Sequence, residues 1–259
     1  MDEPTIPFGE PELWRVSAFR HAMGELSSRP DSADLGARLS LLSPSLMADL
    51  QRFEHAPNGA EVLEVMAACL RHSQNVAIHL ERTGYVLPIT VFPRQRIFHS
   101  PLPLSSLLDA SLAELKLLQV EPAVLRAPGD KHRELVDVEH LYHPLGGLLW
   151  VLALYGPRKE LLPEIAGPAA YRVAPGMDLR GLDIGGALAS AIDRLRGEAV
   201  PLRVIAEWPG LDLERAARLL NGLYLQSGLM VSRTHPTALS LGARADGWLQ
   251  SLTRRRSDN

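Results

Sequence analysis

Residues 201–233, PLRVIAEWPGLDLERAARLLNGLYLQSGLMVSR, decide the fold. Pro201 suits the first position of a helix, where its missing N–H is not needed. Leu202, Ile205 and Ala206 then share a face at i, i+3, i+4 spacing. Pro209-Gly210 breaks that helix with a turn. Asp212 can cap the next helix by accepting free N–H groups of its first turn. Arg215 stands where a capping box would have Glu or Gln. Leu213, Ala216, Ala217, Leu220, Leu223 and Tyr224 form the apolar stripe, and Gly228 is the expected C′ stop. Leu229 to Arg233 reads as a short strand, with Thr234-His235-Pro236 turning out of it.

Upstream, Ala187, Leu188, Ala191, Ile192 and Leu195 give one more helix, closed by Gly197. Helix, helix, turn, helix, strand is the order of a winged helix-turn-helix, in which three short helices share a core none could build alone. On a helical wheel the outer face of the last helix carries Arg215, Arg218, Asn221, Gly222 and Gln226. Arginine can read guanine, and Asn or Gln adenine. Asp212 and Glu214 at the same helix start oppose a phosphate. Residues 200–259 hold eight Lys+Arg against five Asp+Glu, three of the positives being Arg254, Arg255 and Arg256. That is thin for a DNA clamp. The module therefore reads as a packing or docking element, with Arg215, Arg218, Gly222 and Gln226 as its contact face. DNA reading by the same helix is the alternative.

The 259-residue chain is long enough for two domains, and 46% hydrophobic residues support a real core. A net charge of −3 and a pI near 6.3 argue against general affinity for nucleic acid or anionic membrane. The single cysteine, Cys69, excludes an internal disulfide and fits a reducing cytoplasm. It sits in the run VLEVMAACL and reads as a small core residue, with a reactive thiol as the alternative. The opening MDEPTIPFGEPE lacks the basic and apolar regions of a signal peptide. The longest apolar run, Leu145 to Tyr155, is about half a membrane span.

In chain order, helices are expected over Leu13–Leu26, Leu35–Phe53 and Ala60–His72. The second is interrupted where Ser43 can cap a helix beginning at Pro44. Ser27–Asp34 reads as a loop and Pro57-Asn58-Gly59 as a turn. The period then changes from about 3.6 to 2. Asn75–Glu81 and Tyr85–Phe92 read as a hairpin about Arg82-Thr83-Gly84, and Arg96–His99 as a third strand. Pro88 predicts an edge position or a bulge, because it cannot donate to a ladder. Ser105–Leu117 returns to helix and Leu118–Leu125 to strand. Lys131–Glu139 is a charged surface segment. Helices follow over Pro144–Tyr155 and Arg158–Ile165, then a strand over Ala170–Val173. The glycine-rich stretch Asp178–Gly186 is the best domain boundary. A last helix would carry Leu241, Trp248, Leu249 and Leu252.

The chain lacks a P-loop, G-x-G-x-x-G, H-E-x-x-H, G-x-S-x-G and CxxC. No cofactor is implied and no catalytic residue is assigned. His140 and His143 lie three apart, so with His132, Asp137 or Glu139 they offer imidazole and carboxylate ligands of the kind zinc takes. Pro144, directly after, pushes His143 toward extended backbone. His79 and His99 read as surface or partly buried histidines rather than a catalytic pair.

The strands Asn75–Glu81 and Ile89–Ser100, followed by a helix from Leu104, resemble the PATAN domain of bacterial signalling proteins. Ile89-Thr90-Val91-Phe92 and Arg96-Ile97-Phe98-His99-Ser100 carry the likeness; Pro93-Arg94-Gln95 occupies the place of the family's turn glycine. The resemblance implies a bacterial, cytosolic, non-catalytic adaptor acting through protein contacts, with a small GTPase or response regulator as partner. The expected fold is α+β and mostly helical, with a small antiparallel sheet in the middle and a C-terminal winged helix-turn-helix. The expected divisions are a helical segment over 1–72, an α+β core over 73–182 and the winged module over 183–259. The expected function is protein–protein signalling, ahead of a DNA-binding regulator and of a metalloprotein built on His132, His140 and His143.

Overall fold

A computed structural model describes residues 13–28, 41–55, 61–103 and 112–234. Outside them fall the leader to Glu12, the loop after Ser28, the helix part before Leu41 and the Pro57-Asn58-Gly59 turn. So do the helix expected from Ser105 as far as Ser111, His235-Pro236, the Leu241–Leu252 stripe and the arginine tail. The protein is α+β, with seven helices among the described residues and a small antiparallel sheet in each of two compact units. The units are Met1–Leu148 and Leu149–Asn259. No described helix is long and apolar enough to cross a membrane.

The first unit begins with α1 (Val16–Ser28), α2 (Pro44–Glu54) and α3 (Val62–His72). Ser43 caps α2, its Oγ accepting the Leu46 N–H at 3.3 Å, with Pro44 at the first helical position. Asp49 on α2 accepts from His72 Nε2 at 2.7 Å and from Arg71, so one carboxylate ties α2 to α3. Cys69 is buried on α3 among Val65, Met66 and Ala68, and burial pushes its thiol up to about 12, where it stays protonated and inert.

Five strands follow in the order β4-β1-β2-β3-β5, all antiparallel: β1 (Val76–Arg82), β2 (Tyr85–Phe92), β3 (Ile97–His99), β4 (Lys116–Pro122) and β5 (Tyr142–Pro144). The β1–β2 hairpin closes through Thr83 and Gly84 with φ of 47° and 83°, the doubly left-handed turn that matches strand twist. Val76, Ile78 and Leu80 point to one face with Leu87, Ile89 and Val91, and all six are buried. Each such side chain stabilises the fold by about 1.5–3 kcal/mol.

Two expectations in this unit are corrected. Pro88 does not lie on an edge strand, since β2 runs between β1 and β3. β3 pairs with β2 only at Thr90–Phe92, and the Val86 N–H goes to Trp14 O. Position 88 falls between these partners, so its missing N–H leaves no acceptor stranded. The irregularity is in the neighbouring ladder, where the β1–β4 register shifts between His79 and Leu80. The helix expected to reach Leu117 ends differently: Leu112–Glu114 is a single 3-10 turn, and β4 already starts at Lys116. The run KLLQV, with Leu117, Leu118 and Val120, is drawn into the ladder by β1.

The helix α4 (Leu145–Tyr155) passes from the first unit into the second, which continues with β6 (Ala170–Val173), α5 (Gly186–Gly197), β7 (Val200–Pro201), α6 (Leu202–Ala206), α7 (Leu213–Leu225) and β8 (Leu229–Ser232). Its sheet has the order β7-β6-β8, so β6 lies between the two strands that flank α6 and α7. Asp212 caps α7, its Oδ1 accepting the Arg215 N–H at 2.7 Å.

Three details depart from the sequence reading. Pro201 belongs to β7 and precedes the helix, which starts at Leu202. Ser227, with φ of 59°, is the left-handed residue after α7, not Gly228. The Ser227 N–H bonds to Tyr224 O at 2.8 Å and the Gly228 N–H to Leu223 O at 2.9 Å, a complete Schellman motif. Gly228 leaves room for Met177 instead: a Cβ there would lie 1.8 Å from Met177 Sδ. Finally, Arg158–Ile165 is not a helix. Arg158 donates to the carbonyls of Glu160 and Leu161, and Asn221 takes the Leu162 N–H, so side chains satisfy this backbone instead.

Candidate binding cleft

The backbone before α1 adds to the outer side of β2. The Val86 N–H donates to Trp14 O at 2.7 Å, the Val16 N–H donates to Gly84 O at 2.9 Å, and Arg15 bridges to Tyr85. This pairing sets α1 over the face of the sheet opposite the Ile78 side. Phe19 stacks on His79 with ring centroids 5.1 Å apart, and Arg20 reaches Glu81 at 3.5 Å. The exposed ion pair contributes little by itself; the backbone bonds fix the geometry.

Between α1 and the strands lies a cleft of about 300 Å³, walled by Leu13, Trp14, Phe19, Val86, Pro88 and Pro101, with His79 at its side. A second, more open recess of about 650 Å³ shares Leu13 and Trp14 and adds Arg15, Ala18 and Tyr85. Trp14 stands between the two recesses and is 58% exposed; Tyr85 is 42% exposed. Burial lowers the His79 pKa, and the nearby Glu121 charge opposes that only in part. Nδ1 of His79 is buried without a hydrogen-bond partner. The ring is therefore neutral near pH 7, and the cleft is an apolar surface with one weakly basic side chain. It suits the binding of an apolar group.

The residues singled out from the sequence lie elsewhere. On α7, Arg215 is exposed and donates to Gly210 O at 2.6 Å. Arg218 turns inward: its side chain is 12% exposed, and it donates to the carbonyls of Leu154 and Gly156 at 2.9 and 2.8 Å. It thereby caps the C-terminus of α4, where carbonyls are unpaired and the helix dipole is negative. Asn221 is fully buried, accepting from Leu162 N–H at 2.8 Å and donating to Glu160 O at 2.9 Å. Gly222 faces the Trp150 ring. The expected outer face is thus corrected: α4 and the segment after it cover Arg218, Asn221 and Gly222, leaving Arg215 outside and Gln226 half-buried at the helix end.

His132, His140 and His143 do not converge on one point. His132 is exposed beside Glu134 at 3.3 Å, His140 sits in a 3-10 turn, and His143 packs on Phe98 with centroids 5.4 Å apart. No group of three His, Cys, Asp or Glu side chains is placed to hold a metal among the described residues. His99 is buried on β3, its Nε2 2.9 Å from Asp137. The Tyr142 hydroxyl accepts the Asp137 N–H at 2.9 Å and donates to Arg126 O at 2.7 Å. These bonds anchor the segment between β4 and β5.

Trp14 and Tyr85 were not legible as a site. Trp14 precedes α1 and is exposed from extended backbone, where the expected helix from Leu13 has not begun. No family model, no curated protein and no solved structure matches the chain.

Proposed function

We propose that the chain is a non-catalytic, cytoplasmic bacterial adaptor that works by binding another protein through the cleft around Trp14. The observation that carries this reading is an exposed tryptophan and an exposed tyrosine, brought together by backbone pairing, that line an open recess beside an apolar cleft. Aromatic side chains beside a pocket are enriched among the residues that dominate binding at protein interfaces. The PATAN-like reading of residues 75–100 points the same way, and the pairing of Thr90–Phe92 with Ile97–His99 is in keeping with it. A small GTPase or response regulator is the partner class that resemblance implies.

The second unit is proposed as a winged-helix variant, in support of which α5, α6 and α7 are followed by β8 in the expected order. The inward use of Arg218, Asn221 and Gly222 favours packing over DNA reading for this module. The test is co-purification of wild type and Trp14→Ala from the same bacterial cytosol, followed by calorimetry with the identified partner. Binding weakened at least tenfold by Trp14→Ala is expected. Equal affinity of both proteins would remove the cleft from the reading. Tight, sequence-selective duplex binding that weakens on Arg215→Ala would favour the DNA-binding alternative.

A further inference from the structure

We propose that the cleft takes a short acidic segment of its partner, with one large apolar side chain in the recess and a carboxylate on Arg15. This rests on the protein-binding reading above and names the chemistry of what binds. The 300 Å³ recess is at the lower limit of ligand pockets, and it accommodates one Phe- or Leu-sized side chain. It shares Leu13 and Trp14 with the open 650 Å³ recess, so an extended chain laid across Trp14 would meet both. Phe19 and Pro88 offer the apolar walls, and neutral His79 adds no charge.

The charge in the second recess sets the sign of the partner. Arg15 lines it, is exposed and makes no ion pair among the described residues. Two acids share that side of the sheet: Glu81 is already engaged by Arg20 at 3.5 Å, and the Glu121 charge acts on His79. Among the described residues, the second recess therefore presents a cation without an ion-pair partner next to two exposed aromatics. A carboxylate beside the apolar anchor would meet Arg15, whereas a cation there would be repelled.

The experiment is selection of random heptapeptides on the full-length chain, on Trp14→Ala and on Arg15→Glu, with melting curves to show that all three are folded. Peptides enriched on wild type should pair an aromatic or leucine residue with Asp or Glu, and should not be enriched on Trp14→Ala. A synthetic wild-type winner should lose affinity about fivefold on Arg15→Glu and weaken as salt rises. Selection on Arg15→Glu should shift toward Lys- or Arg-bearing peptides. Winners that need Trp14 but carry no acidic preference would overturn this proposal and leave the protein-binding reading standing. Enrichment that ignores Trp14, or none above blank resin, would overturn both. Self-association of the chain that needs Trp14 and excludes the peptides would name a second copy as the occupant, and would equally overturn the proposal.

Discussion

Gly222 and Trp150 touch so closely that a Cβ on Gly222 would lie 2.9 Å from the Cε3 and Cζ3 atoms of the indole. The ring cannot yield easily, because Trp150 is itself buried and its Nε1 donates to Asp183 O at 3.1 Å. On an exposed helix face, Gly222→Ala would stabilise by about 1 kcal/mol through helix propensity. Here overpacking opposes that gain and should win, with a net loss of about 1–2 kcal/mol. A urea titration of Gly222→Ala reads the sign directly. A higher midpoint than wild type would show that α7 turns this face to solvent after all.

Much of the first level was readable because its causes are local. Ser43 and Asp212 cap helices with their own side chains, three residues from the N–H they accept. The alternation around Ile78 and Ile89 needs only a two-residue turn to become a hairpin. What was lost depends on partners far along the chain. Arg158–Ile165 has amphipathic spacing, but Asn221, 59 residues beyond Leu162, claims its backbone. Gly228 reads as the helix stop, whereas Met177 packs where its side chain would be and Ser227 takes the left-handed position. The cleft exists because Trp14–Val16 pairs with Gly84–Val86, a register no local pattern encodes.

Asn221 should be among the least replaceable residues of α7. Asn221→Ala removes an acceptor from the Leu162 N–H and a donor from the Glu160 carbonyl, and leaves a cavity. The expected loss is about 2–4 kcal/mol. Asn221→Asp keeps the shape and the acceptor but sets an oxygen against Glu160 O and places a charge in the interior. It should be at least as damaging at neutral pH and should recover in part as acid protonates it. Denaturant midpoints of the two variants at pH 7 and pH 5 make the comparison. Wild-type stability in Asn221→Ala would mean that these two bonds do not hold segment 160–162.

Met177 and Gly228 form a second close approach, of a different kind. Gly228→Ala collides with Met177 Sδ, Cε and Cγ at 1.8, 2.2 and 2.7 Å. A thioether chain is flexible, so the cost is set by how far Met177 can swing aside, and about 1–3 kcal/mol is expected. Met177→Ala should relieve most of it. The double variant Met177→Ala/Gly228→Ala should therefore be more stable than the sum of the two single losses allows. Strict additivity in thermal melts would show that the glycine is needed for its backbone instead.

Acid should loosen the first unit in two ranges that open at different pH, one below 6.5 and one below 3.8. His79, His99 and His143 all titrate below the ordinary histidine value of 6.5, and burial is the leading cause in each. For His79 the Glu121 charge works against burial, and for His99 the hydrogen bond and charge of Asp137 do the same. For His143 the His99 and His140 charges add to burial, while the Leu102 backbone opposes it. A depressed histidine means that the unfolded chain binds protons first. Stability is then full above 6.5, falls as pH drops below it, and finishes falling beneath each group's own lower value. Asp49 acts in a lower range. Burial alone would raise its carboxyl, but the bonds from His72 and Arg71 and the charges of Arg71 and Arg52 outweigh it and hold it below 3.8. Its contribution is present above 3.8 and is lost as pH falls through the depressed value. His79→Phe, which keeps a ring against Phe19, should flatten the upper range by up to one proton and leave the lower range unchanged. Fitting urea unfolding free energies from pH 7.5 down to pH 3 tests both. An upper-range slope identical in wild type and His79→Phe would mean that His79 titrates in the folded protein as it does in water.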